Sequence, residues 1–237
     1  MTTMNQMLFS LALLAGAAAD DKEAEEAIAR FKTAYKNTSA PARAAAVTEL
    51  AKAPHEKTLK QLLPLLGGEE KVVKIAVAKG LGGFADFKKQ VTPVLSGALA
   101  ANQKEPEVQV AILEALGALD DDAALGTLHR TFDDKNGKVA GAAFVAAGMV
   151  RNIASIDVMI DHMKKIEKYL QPDSGGGNAG VDLGVPGGGD DPNRMRAREV
   201  MPSIIKGLSL ITKEKWTTSK EWLIWWGRYK ATFKIEK

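Results

Sequence analysis

Across residues 106–119, PEVQVAILEALGAL, apolar positions fall three and four apart, which gathers them on one face of an α-helix. Pro106 suits the first turn, where its missing N–H costs nothing, and Gly117 falls near the end. The same design recurs as ARAAAVTEL around Ala42, VKIAVAKGLGGF around Val73 and VAGAAFVAAGMV around Val139. Ala45, Ala76, Ala111 and Ala142 hold equivalent positions, as do Leu50, Leu81, Leu116 and Ala147, with Gly82, Gly117 and Gly148 just after. A recurrence every 31 to 35 residues marks a stack of repeated helix pairs, because one pair cannot bury its apolar face without a neighbour.

The intervening segments supply the partner helices. Residues 22–36 place Ala24, Ala27, Ile28, Phe31 and Ala34 on one face; residues 55–66 do the same with Leu59, Leu62, Leu63 and Leu66. Pro64, and Pro93 within 87–101, are expected to bend the helices that contain them. Asp120, Asp121 and Asp122 end the helix of 106–119 and cap the next one, over 123–132. A helix over 138–152 follows, then a longer amphipathic one over 153–170 with Ile156, Met159, Ile160, Met163 and Ile166 on its inner stripe. Its partner, 194–211, comes only after a Gly- and Asp-rich insertion, 171–193, whose composition favours a flexible excursion. The fold class expected is all-α, an α-α superhelix of about five helix pairs over 20–170 and 194–237, ending in an aromatic helix.

Residues 8–19 are uncharged and apolar, too short to span a bilayer, and close on three alanines before Asp20. Residues 1–19 therefore read as a signal peptide, although no Lys or Arg precedes the apolar stretch. With no cysteine in the chain, neither a disulfide framework nor a thiolate metal site can form. The formal charge of +3 hides an asymmetry: 11 Lys/Arg against 4 Asp/Glu from residue 194 onward, a net of +7, leave −4 for the rest.

The strings LLPLL (62–66) and VTPVL (91–95), with Val73-Lys74-Ile75-Ala76, Val108-Gln109-Val110-Ala111 and the Leu-Gly that follows each, resemble HEAT-repeat proteins of the short-repeat bacterial kind. The resemblance covers 23–211 without the insertion and implies a right-handed stack whose second helices line a concave, partner-binding surface. Its period is shorter than that of longer HEAT units, and the first and fourth repeats are degenerate. The C-terminal piece, LSLITKEKW then TTSKEWLIWWGRYKATF, also resembles a terminal motif of exported bacterial HEAT-repeat proteins.

Carried over by position, the partner-binding candidates on the concave face are Arg43, Lys74, Gln109 and Arg198, with Lys71, Lys79 and Glu114 nearby. The competing reading makes the same residues an inter-repeat polar ladder; under the binding reading, replacing Lys74 and Gln109 by Glu removes a partner without affecting folding. Trp216, Trp222, Trp225, Trp226, Tyr229 and Phe233 form an aromatic cluster that either seals the last repeat or docks a partner. Arg194, Arg196, Arg198, Lys206, Lys213 and Lys215 make a basic run, but Glu199, Glu214 and Glu221 interrupt it, and export removes nucleic acid as an ordinary partner. His55, His129 and His162 lie in different repeats without partners at zinc spacing, so no metal and no cofactor is implied. Asp182, Asp190 and Asp191 could at most hold calcium weakly; the insertion has neither the Lys-Ser/Thr of a phosphate loop nor a preceding strand. The function expected is a non-catalytic protein-interaction scaffold exported to the periplasm or cell envelope, with self-association through repeat faces also open. A HEAT-like nucleic-acid-binding or DNA-repair protein, or a HEAT-like lyase, is the alternative.

Overall fold

The computed structural model describes residues 19–36, 39–170 and 191–235. Residues 1–18 of the expected leader and 171–190 of the expected insertion lie outside these, Asp182 and Asp190 included. Among the described residues all regular structure is helical.

The helices form pairs in chain order: α1 (Asp21–Ala34) with α2 (Ala40–Leu50), α3 (Glu56–Leu62) and α4 (Leu65–Gly68) with α5 (Lys71–Leu81), and α6 (Lys88–Ala101) with α7 (Pro106–Ala118). Then come α8 (Leu125–Thr131) with α9 (Gly137–Val150) and α10 (Ala154–Glu167) with α11 (Pro192–Thr212); α12 (Ser219–Tyr229) packs on α10. The second helices touch in sequence, α2 to α5 to α7 to α9 to α11, so the pairs stack as the repeat pattern requires. Their inward stripes meet in one continuous apolar core holding Leu50, Leu81, Phe84, Leu116, Phe132 and Phe144.

The glycine that follows each repeat's leucine has a steric reason. Successive second helices cross closely enough that a Cβ on Gly117 would lie 2.9 Å from Ala146 Cα, and one on Gly148 would lie 2.6 Å from Gly207 Cα. Two residues earlier, Gly80, Ala115 and Ala146 receive the preceding helix: a Cβ on Gly80 would lie 2.6 Å from that of Ala51, and Gly82 faces Ala115. Small residues thus set the spacing of the layer, and α7, α9 and α11 are each turned off by a left-handed residue, Asp120, Arg151 and Lys213, at or just past their ends.

The two prolines behave differently. Pro64 separates α3 from α4, as expected of a proline inside a helix. Pro93 is accommodated within an uninterrupted α6, where Val91, Leu95 and Leu99 hold both flanks in the core. At the aspartate run, the Asp121 side chain accepts the Ala123 N–H at 3.1 Å and a 3-10 turn leads into α8. The insertion also ends earlier than its composition suggested: the Asp191 carboxylate caps α11 by accepting the Asn193 N–H at 3.0 Å, so residues 191–193 belong to that helix and its cap.

Candidate partner-binding groove

Four successive second helices turn one face each toward an open groove of about 990 Å³. Helical spacing selects the lining: Ile75 and Lys79 on α5, Glu107, Ala111 and Glu114 on α7, Lys138 and Gly141 on α9, and Glu199 and Ser203 on α11 are each separated by about one or two turns. Ile75, Val110, Ala111 and Gly141 provide apolar floor, while Lys79, Glu107, Glu114, Lys138 and Glu199 supply both signs of charge. The sign alternates from helix to helix, basic on α5, acidic on α7, basic on α9 and acidic on α11. A ligand lying across the helices meets that alternation; one lying along them meets a single sign.

Glycine also shapes the α9 wall. A Cβ on Gly137 would sit 1.9 Å from the Glu199 carboxylate, and one on Gly141 would sit 2.8 Å from Ser203 Oγ. These two glycines let α11 approach, and they place the Glu199 carboxylate over the first turn of α9, where the helix dipole favours an anion. On α7, Glu107 is held below the usual carboxylate range, first by the backbone N–H it meets at the helix start and then by Lys71, 3.4 Å away.

The residues expected to line a binding face divide into two groups. Glu114 lies in the groove together with Lys79, its equivalent one repeat earlier. Arg43, Lys74 and Gln109 lie elsewhere, beside the loop that leads into the second helix of the next pair. Arg43 ion-pairs with Glu69 at 3.5 Å and with Glu70, immediately before α5. Lys74, only 7% exposed, donates to Asn102 Oδ1 at 2.9 Å and to the Glu105 carboxylate, immediately before α7. Gln109, 5% exposed, lines a separate hollow of about 650 Å³ with Thr127, Arg130, Asp133 and Asn136. For Arg43 and Lys74 the geometry is that of the polar ladder, and burial alters the expectation for the pair of substitutions: Lys74→Glu buries a carboxylate beside Glu105, so folding cannot stay unaffected. Arg198 is exposed near the start of α11 and is not among the groove's lining residues.

Part of the basic run is absorbed in the same way. Arg196 reaches back across the repeat to donate to the Phe132 and Asp134 carbonyls, both at 2.9 Å, and Arg194 donates to the Tyr169 carbonyl at 3.3 Å. These guanidiniums fasten α11 to its neighbours.

The aromatic cluster packs against α10. Trp222 is fully buried, and Trp225 and Trp226 nearly so; Trp225 meets Tyr229 and Phe233 with ring centroids 5.7 and 5.5 Å away. Each indole N–H that is buried needs an acceptor. Trp226 donates to Asp157 Oδ1 at 2.8 Å, and Trp222 donates to the Trp216 carbonyl at 3.0 Å. Burial pushes the Asp157 carboxyl up, but Lys230 and the Trp226 indole outweigh it and leave the group below its ordinary value. Trp216 contributes this carbonyl while the residue as a whole stays 37% exposed. The helix start carries a capping box: Thr218 and Glu221 exchange side-chain and backbone hydrogen bonds.

Two histidines join a buried aromatic group that sequence spacing did not connect. Phe132 and Phe144 stack at 3.8 Å, and the His162 ring meets Phe144 edge-on at 5.2 Å. His129 Nε2 lies 2.9 Å from Ser155 Oγ, and His162 Nε2 lies 3.5 Å from Asp133 Oδ1, a carboxylate partner from the preceding repeat. Burial pushes both rings below their ordinary pKa, Asp133 opposing part of the effect at His162. Among the described residues no three His, Asp or Glu side chains converge to hold a metal ion, and no helix is long and apolar enough to cross a membrane.

The chain matches no protein-family model, and no curated protein is similar to it.

Lys138, Glu199, Ser203 and Val110 are groove residues that position in the repeat did not single out. The usable signal was the equivalence of Lys79 and Glu114, each five residues after a ladder position. Ser203 and Glu199, by contrast, are brought to the groove by a helix that follows the insertion.

Proposed function

We propose that the protein is an interaction scaffold of HEAT-like repeats that binds a segment of a protein partner in the second-helix groove, without catalysis of its own. The observation that supports this reading is the groove itself: one open surface crossing four repeats, with apolar floor and charges of both signs. Such a surface suits a peptide segment, whose side chains can place apolar groups on the floor and ionic groups at the rim. The mixed sign of its charge, and the engagement of Arg194 and Arg196 with backbone carbonyls, argue against a nucleic-acid backbone as the ligand. Export to the cell envelope belongs to the same reading and rests on the apolar residues 8–19; sequencing the mature N-terminus tests it, and a protein that keeps Met1 contradicts it.

The groove is tested by selecting displayed random peptides on the wild-type protein and measuring the winners against Glu114→Trp, an exposed position that fills the groove, and Gly126→Ser, which is outside it, both checked for wild-type melting. Gly126 has open space around it. Peptides bound by wild type and Gly126→Ser but not by Glu114→Trp support the reading. Selected peptides that bind Glu114→Trp undiminished place recognition elsewhere.

A further inference from the structure

The two ends of the stack are built differently, and they match. At the first end α1 and α2 have no described pair before them. Ala27, Phe31 and Ala34 from α1 and Ala42, Ala45 and Leu50 from α2 line an open, mostly apolar hollow of about 480 Å³. It faces away from α5, which α2 meets through Ala51 and Arg43. In the later repeats the corresponding face receives the preceding helix through Gly80, Ala115 and Ala146; at the first repeat that position is Glu49, on the wall of the hollow. Glu49 is ion-paired with Lys52 at 2.7 Å and Arg30 also lines the hollow, so its wall carries both signs of charge and suits a partner helix with charges beside its apolar groups better than a closely packed apolar helix.

At the other end α12 turns Trp222, Trp225 and Trp226 inward, and its opposite face carries Lys220, Leu223, Ile224, Gly227 and Arg228 at spacings of three and four. Leu223 is 41% and Ile224 58% exposed, two aliphatic knobs between two cations. The charges of the ends are also opposite. Residues 20–26 hold five carboxylates against Lys22, of which Asp21 and Glu25 pair with Lys57 and Glu26 with Arg30, whereas residues 213–235 hold six Lys/Arg, Lys230 paired with Asp157, against Glu214 and Glu221.

We infer that copies of this chain associate head to tail, Leu223 and Ile224 of one copy entering the alanine-lined hollow between α1 and α2 of the next, with Lys220 and Arg228 facing the acidic end. The contact is heterologous, so each copy keeps one free knob and one free hollow and assembly can continue. A two-fold contact between α12 faces would instead set Lys220 and Arg228 against their own copies. An anionic lipid surface would satisfy the basic face but leave the hollow without a role. The inference does not depend on what the groove binds.

Sedimentation velocity on the full chain at rising concentration tests it, with Ile224→Asp (knob removed) and Ala45→Trp (hollow filled), both at surface positions and checked for wild-type melting; Leu223→Asp and Ala42→Trp replace either if it melts early. Wild type is expected to grow in mass with concentration, and less so at high salt. Each variant alone stays at the monomer mass. An equimolar mixture of the two, which retains one working knob and one working hollow per pair, forms a dimer and nothing larger. Wild type that remains monomeric throughout, including one that instead co-sediments with phosphatidylglycerol vesicles, overturns the inference. So does either variant assembling like wild type, or a mixture that yields no dimer.

Discussion

On α5, Lys74 and Lys79 are one and a half turns apart, and they belong to different parts of the protein. Lys74 is 7% exposed and bound by Asn102 and Glu105 from the next pair; Lys79 stands in the open groove. The same division separates Gln109 from Glu114 on α7. Arg43 and Lys74, at one register of the second helices, join repeat to repeat, and Lys79 and Glu114, five residues after that register, stand in the open groove. A charged residue on a repeat surface is thus not informative until its direction relative to the next pair's loop is known.

Substitutions can break or sharpen this division. The largest effect is expected for Lys74→Glu with Gln109→Glu, which removes a buried cation, places a carboxylate beside Glu105 and buries a second one at Gln109: about 3 to 5 kcal/mol of stability by urea unfolding. A loss under about 1 kcal/mol would mean that these positions are effectively exposed. Arg196→Ala removes three charge-assisted hydrogen bonds to two backbone carbonyls and is expected to cost about 2 kcal/mol, again read by urea unfolding.

A smaller effect is expected from the buried histidines, through pH. His129 and His162 titrate below their ordinary value of 6.5 in the folded chain, so the unfolded chain takes up protons first as pH falls. Their contribution is complete above the unfolded value and is lost as pH drops through about 6.5 toward the lower folded values. Melting temperature should therefore decline on acidification in that window, and His162→Gln should flatten the decline. An unchanged slope in that variant would show that the ring does not report on this core. The smallest effect belongs to the groove: Lys79→Glu with Lys138→Glu should alter stability by no more than about 0.5 kcal/mol, because exposed charges contribute little.

Much of the architecture was legible in the chain. The apolar spacing of residues 106–119 and its recurrence specified helix pairs, and the Leu-Gly steps marked where helices cross closely, as Gly117 against Ala146 shows. The Thr218 and Glu221 cap could be read because it is local. What could not be read depends on neighbours distant in sequence. Nothing in the sequence around Lys74 reveals that Asn102 and Glu105 will surround its ammonium group, since that follows from how α5 leans on α7. His162 meets Asp133 across 29 residues, and Glu199 reaches the groove only because α11 returns beside α9 after the insertion. Position in the repeat identified the helices that line the groove; the tilt of each helix against the next decided which side chains face outward.

The most direct test sets the two registers against each other with one selected peptide. Isothermal titration and thermal melts are measured for wild type, for Lys79→Glu with Lys138→Glu, and for Lys74→Met, which keeps the buried stem but removes the charge. The groove pair should lose at least about tenfold in affinity, about 1.4 kcal/mol, at an unchanged melting temperature. Lys74→Met should melt earlier and, while folded, bind within about twofold of wild type, about 0.4 kcal/mol. Lost binding in Lys74→Met together with intact binding in the groove pair would contradict the account.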